Sequence, residues 1–216
     1  MFLYKERDTL KWIEEYFNEN EIFYDIGACI GEYGIYAVKK RKVSVFAFEP
    51  NALNYGILNK NIYLNNLDNK ITALNIALND NNIISNLSTP RNKYLPGKSH
   101  NQFDQSEGSI NDDEIFKQGM IGVSLDYLID NFFLPLPNHI KIDVDGNEHK
   151  IINGMQKLLS QKILRTIACE VDYNNSEHQL IIEKIELHGF RSIYLDNNEH
   201  NKDNSLFAKN LFFARS

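Results

Sequence analysis

A doubly wound α/β fold with a mostly parallel sheet is what this sequence predicts, and three observations predict it. Apolar segments of strand length alternate with helical patterns from residue 22 to residue 189, the order that builds parallel βαβ units with right-handed crossovers. The first strand runs through an acid and three glycines, Asp25, Gly27, Gly31 and Gly34, into a segment able to wind as a helix. Two apolar segments near the carboxyl end, 190–195 and 206–214, follow each other with no helical pattern between them and read as an antiparallel closing pair.

The elements follow in order. TLKWIEEYF at 9–17 places Leu10, Ile13 and Phe17 on one helical face, a capping helix beside the first strand. IFY at 22–24 is that strand, VSVFAF at 43–48 the second, and 70–78 the third. Pro50 and Asn51 open a helix over 52–64. From 79 to 118 the pattern collapses into a polar stretch broken by Pro90, Pro96, Gly97 and Gly108. Strand order resumes at 120–123, with Ser124 as N-cap of a helix over 125–132. A strand at 139–144, a helix at 149–159, a strand at 165–171 and a helix at 177–188 closed by Gly189 complete the pattern. No internal repeat or linker is visible, so the chain reads as one domain over 1–216 with a polar, loop-rich insertion at about 89–119.

Strand, glycine turn and helix form a nucleotide-cradling unit, because glycine lets the backbone approach a ligand and the helix start offers unpaired N–H groups. A dinucleotide fingerprint wants GxGxxG, whereas Asp25, Gly27 and Gly31 read DxGxxxG. Glu49 stands 22 residues past Gly27, at the end of an apolar strand, where a carboxylate can accept hydrogen bonds from two ribose hydroxyls. Asp143 and Asp145 are expected to point the same way along the fourth strand. With Asp25, Glu49 and Glu170 they gather acids at the carboxyl ends of strands, where open α/β sheets bind ligands.

DIGACIGEYG, FAFEPN and IKIDVDGNEHKIINGM together resemble the FkbM family of class I S-adenosylmethionine-dependent methyltransferases, over nearly the whole chain. Cys29 stands where that family usually has Asn, and Asp145 where it usually has Glu. The resemblance implies a Rossmann-like fold with a seven-stranded, mostly parallel sheet, helices on both faces and an antiparallel C-terminal hairpin. It implies S-adenosylmethionine as cofactor, held by Asp25, Gly27, Ala28, Cys29, Gly31, Tyr33, Glu49, Pro50, Ala77, Leu78 and Asp143. The expected activity is O-methylation of a hydroxyl on a sugar, glycan or related secondary metabolite.

Methyl transfer needs in-line placement of a nucleophile, worth about 7–11 kcal/mol, more than the roughly 3–5 kcal/mol of a general base. Asp143, Asp145 and Glu148 are the candidate catalytic residues, with His149 beside them. Asp143 with Glu170 permits a divalent metal without requiring one. In the polar insertion, Arg91, Tyr94, Lys98 and His100 precede a run of acids; the segment is expected to recognise the acceptor, its basic half facing a phosphate or carboxylate. Cys29 reads as a small residue filling a tight turn, and Trp12 as core or a wall of the cofactor pocket.

A net charge of −6 disfavours nucleic acid, which calls for a basic face. The partner is expected to be a small-molecule or glycan acceptor. No apolar run approaches the roughly 20 residues of a membrane span, MFLYKERDTL lacks a signal-peptide core, and two separated cysteines suit reduced thiols; a cytoplasmic protein is expected. Two other readings compete. A nicotinamide-dependent oxidoreductase is disfavoured by DxGxxxG and by the absence of a TyrxxxLys pair, and a cofactor-binding module without catalysis remains open.

Overall fold

The computed structural model describes residues 7–93, 95, 97, 101–104, 114–172, 176–195 and 209–215. Its centre is a seven-stranded sheet in the order β10-β11-β9-β8-β1-β2-β3. These strands are β1 (Ile22–Ile26), β2 (Ser44–Phe48), β3 (Ile71–Leu74), β8 (His139–Ile142), β9 (Thr166–Val171), β10 (Phe190–Ile193) and β11 (Lys209–Arg215). Strands β3, β2, β1, β8 and β9 pair in parallel, whereas β11 is antiparallel to both β9 and β10. The closing pair is therefore as expected.

Helices cover both faces. On one side, α1 (Arg7–Tyr16), α2 (Glu32–Arg41) and α3 (Ala52–Leu64) bury Trp12, Ile13, Val38, Leu58 and Ile62 against Phe23 and Val45. On the other, α4 (Leu125–Phe132), α5 (Glu148–Asn153), α6 (Gln156–Leu159) and α7 (Ser176–Leu187) bury Leu128, Ile152, Leu158 and Ile185 against Tyr24, Ile140 and Ile167. Trp12 is core, not a wall of the cleft, and its indole N–H donates to Thr166 Oγ1 at 3.0 Å. At the amino edge of the sheet, buried His139 lies between Thr166 Oγ1 at 2.7 Å and Glu21 Oε2 at 2.8 Å, and Glu21 also pairs with Arg165.

Three elements depart from their sequence reading. The third strand ends at Leu74 because Asn75 turns its side-chain amide onto the carbonyls of Glu49 and Pro50, at 2.8 and 2.9 Å. Its continuation, β4 (Ala77–Leu78), joins a second sheet of order β4-β7-β5-β6. That sheet also corrects the patternless reading of 79–118. Within it, β5 (Ile83–Pro90) pairs antiparallel with β7 (Ile115–Val123) and with β6 (Gln102–Phe103). The helix expected over 149–159 is broken at Gly154, where a Cβ would lie 2.2 Å from the Asn79 carbonyl oxygen. Only glycine permits that approach.

Candidate active site

The strand order reverses between β1 and β8, and ligands of open α/β sheets bind at such a switch. Here β1 passes into its glycine turn. The N–H groups of Gly27 and Ala28 both donate to the Phe48 carbonyl, at 3.0 and 3.1 Å, which ties the turn to the end of β2. Gly27 has φ +78°, and a Cβ on it would fall 1.9 Å from the Asp143 carbonyl oxygen. The two ligand-facing turns thus touch backbone to backbone. Asp25 is buried beneath them and accepts the Gly34 N–H at 3.1 Å, holding the turn onto α2. Gly31 caps that helix in the left-handed region.

Glu49 is 3 % exposed. Its Oε2 accepts the Cys29 N–H at 2.7 Å and its Oε1 the Asn51 N–H at 2.8 Å. A carboxylate offers about four acceptor sites; the Asn54 side chain also donates to Glu49, and the remaining capacity is available to the cleft it lines. Burial pushes Glu49 up to about 8; the two N–H donors oppose that rise and the charge of Asp145 adds to it. Cys29 adopts φ +50°, a region that Asn occupies more readily than most side chains. Its thiol is pushed up to about 12 by burial and by the Glu49 charge, which removes it as a nucleophile at neutral pH.

The cleft has a volume of about 460 Å³, within the range of small-ligand sites. Of the expected cofactor residues, Gly27, Ala28, Cys29, Tyr33, Glu49, Pro50, Ala77, Leu78 and Asp143 line it, whereas Asp25 and Gly31 support it from behind. Strand β8 ends at Ile142, so Asp143 and Asp145 occupy a turn rather than a continuing strand. Both line the cleft all the same. Asp143 Oδ2 is paired with the ammonium of Lys141, and Asp145 Oδ2 accepts the Asn101 N–H at 2.6 Å.

A profile of the methyltransferase FkbM domain matches residues 25–192, which takes in both turns, Glu49 and Glu170. The chain belongs to the FkbM methyltransferase family. A hexuronic acid methyltransferase of Haloferax volcanii is 26 % identical over 154 residues, which is 71 % of this chain and 58 % of that protein. Among solved structures, the methyltransferase FkbM of Methylobacillus flagellatus KT superposes with a TM-score of 0.59 at 17 % identity, covering 91 % of this chain and 44 % of its own. Precorrin-6y C5,15-methyltransferase of Geobacter metallireducens GS-15 superposes with a TM-score of 0.55 at 14 % identity, covering 98 % and 87 %. This chain therefore spans little more than half of the first relative's length and less than half of the first structure's.

The FkbM turn also relocates one expected catalytic residue. Glu148 is fully buried and does not line the cleft; its Oε1 accepts the Val144 N–H at 3.2 Å. Its Oε2 stands 3.2 Å from His178 Nε2. The Asp172 N–H donates to His178 Nδ1 at 3.1 Å, which places the ring proton on Nε2, facing Glu148. That carboxylate raises the His178 pKa. Glu148 is thus a brace joining the 143–147 turn to the end of β9, and it has no access to a substrate. His149 stands 3.1 Å from Glu177, likewise off the cleft.

A divalent metal at Asp143 and Glu170 was permitted by the sequence without being required. Glu170 and Asp143 both line the cleft, but the cation against Asp143 is Lys141. No group of three His, Cys, Asp or Glu among the described residues could hold a metal ion. Of the expected acceptor residues, Arg91 is exposed in a short 3₁₀ turn (Arg91–Lys93) and does not line the cleft, whereas Tyr94, Lys98 and His100 lie outside the described residues.

The sequence reading missed Lys141, Glu32, Asn54, Asn101 and Asn147, all of which line the cleft. The asparagines fasten Gly97 and residues 101–104 beside it. Asn54 Oδ1 accepts the Gly97 N–H at 2.8 Å, Asn101 Oδ1 accepts from Asn51 Nδ2 at 2.9 Å and from Thr89 Oγ1 at 2.7 Å, and Asn147 Nδ2 donates to the Phe103 carbonyl at 2.9 Å. Lys141 had a legible signal, a lysine inside the apolar run HIKIDV two residues before Asp143. The asparagines had none, since their partners are distant in sequence.

Proposed function

We propose that this chain is an S-adenosylmethionine-dependent methyltransferase acting on a hydroxyl of a sugar or glycan. The observation that carries the reading is Glu49. Its buried carboxylate is oriented by two backbone N–H groups and has acceptor capacity directed into the cleft that also exposes Gly27, Ala28 and Asp143. A vicinal diol is the ligand group that such a carboxylate fits, and a ribose supplies one. S-adenosylmethionine, when bound, supplies an activated methyl group on sulfur.

The protein then has to position an acceptor and take its proton. Asp143 is the base in this reading, because its side chain is 30 % exposed and Lys141 engages Oδ2, leaving Oδ1 for an acceptor hydroxyl. Asp145 fastens the 101–104 strap through Asn101, and the strap narrows the cleft to a bound acceptor. Glu148 and His178 act through the turn they brace, not on substrate. A sugar acceptor is suggested by the hexuronic acid methyltransferase relative, and the acid surplus of the cleft favours methylation of a neutral hydroxyl over a carboxylate.

Calorimetry with S-adenosylhomocysteine and with NAD tests the cofactor assignment. Saturable binding of S-adenosylhomocysteine with no heat from NAD is expected, and the reverse pattern would establish the oxidoreductase reading instead.

A further inference from the structure

Lys141 has no role in the cofactor contacts expected from the sequence, yet it is the one cation among the described residues lining the cleft. Five acids share that lining, Glu32, Glu49, Asp143, Asp145 and Glu170. Lys141 is 1 % exposed, on the central strand β8, opposite Asp25 of β1. Its ammonium meets Asp143 and stands 4.8 Å from the centre of the Tyr33 ring. A buried ammonium is costly without partners, and a strand interior rarely carries one.

We propose that Lys141 anchors the α-carboxylate of the cofactor's amino-acid tail; this rests on the S-adenosylmethionine reading above. That cofactor carries two cationic groups, the sulfonium and the ammonium, and one anion. In a cleft with this balance the cations have five carboxylates to meet, and the anion has Lys141. The spacing agrees. Glu49 follows β2 and Lys141 lies on β8, with β1 between them, so the two stand on strands about 10 Å apart, two strand spacings. An amino-acid tail extending from a nucleoside spans such a gap. An ammonium has three donors, so it can serve Asp143 and a ligand carboxylate together.

The test uses two ligands that differ in the tail alone. S-adenosylhomocysteine carries it, whereas 5′-methylthioadenosine keeps the nucleoside and the sulfur without it. Lys141→Met preserves length and removes charge. By calorimetry it should weaken S-adenosylhomocysteine about 10- to 100-fold, the loss of one charged hydrogen bond, and leave 5′-methylthioadenosine within about threefold of wild type. Binding of the second ligand also reports that the site is folded. Repeating the substitution in an Asp143→Asn background, which removes the carboxylate charge paired with Lys141, should give the same selective loss. Equal losses for both ligands, or no loss for either, would show Lys141 to be only the partner of Asp143. A wild type that binds neither ligand would overturn the cofactor reading itself.

Discussion

Glu49 couples ligand binding to protons. Burial holds its pKa at about 8 in the ligand-free protein, and a carboxylate that accepts from a diol must be ionised. Binding at neutral pH should therefore release a proton, and affinity for S-adenosylhomocysteine should rise with pH and level off above about 8. Calorimetry in buffers of different ionisation enthalpy reads that proton directly. Glu49→Gln should abolish the release and cost about 1.5–3 kcal/mol of affinity. The same shift affects stability. An ordinary Glu gives up its proton near 4.5 when the chain unfolds, whereas folded Glu49 keeps it to about 8. The folded state binds more protons across that window, so this residue makes the ligand-free protein less stable as pH rises through it.

The 101–104 strap is an element whose sequence carries no periodic signal, and its anchors and those of Gly97 explain why. Gly97, Asn101 and Phe103 are held by Asn54, Asp145, Asn51 and Asn147, contacts made by single side chains across long sequence separations. Periodicity reads faces that pack, and here little packs except Phe103, buried with Leu87 and Met120. Strand β5 went unread, and β7 was read only over 120–123, for a similar reason. Their outer faces carry exposed Ile84 and Ile121 beside polar neighbours, which blurs the alternation. Asn101→Ala removes the bonds to Asn51 and Thr89 while sparing its backbone N–H. It should raise the KM for the acceptor by more than it changes S-adenosylhomocysteine affinity, at a cost of about 1 kcal/mol in stability per lost bond. Steady-state kinetics alongside calorimetry would check this; an unchanged acceptor KM would separate the strap from acceptor recognition.

At the scale of the whole molecule, the two edges of the sheet are set for different tasks. The carboxyl edge gathers the acids of the cleft, and it was readable because Asp25, Gly27, Glu49 and Asp143 keep fixed places at strand ends. The amino edge holds a buried polar network, Glu21, His139, Arg165, Thr166 and Trp12, which no local pattern announced. Burial depresses His139 below its ordinary 6.5. Burial also opposes ionisation of Glu21, but hydrogen bonds from His139 and Asn18 outweigh it and hold Glu21 at about 2. Both shifts make the unfolded chain the better proton acceptor. Stability contributed by His139 is lost as pH falls below about 6.5, and that from Glu21 as pH falls from 4.5 toward 2. Thermal melts between pH 2 and 5 should therefore show a steeper acid decline for wild type than for Glu21→Gln, with S-adenosylhomocysteine affinity at pH 7 the same in both.

Methyl transfer to a sugar hydroxyl is followed most plainly through a labelled methyl group. The protein would be incubated with methyl-labelled S-adenosylmethionine and a panel of nucleotide sugars and glycans, including uronic acids, and the labelled product treated with mild alkali. A methyl ether on a hydroxyl survives that treatment, whereas a methyl ester on a carboxylate is hydrolysed. The label should be alkali-stable, and its incorporation should slow by about 10²–10⁴ with Asp143→Asn. A label released by alkali, or transfer that persists at the wild-type rate without the Asp143 carboxylate, would contradict this reading.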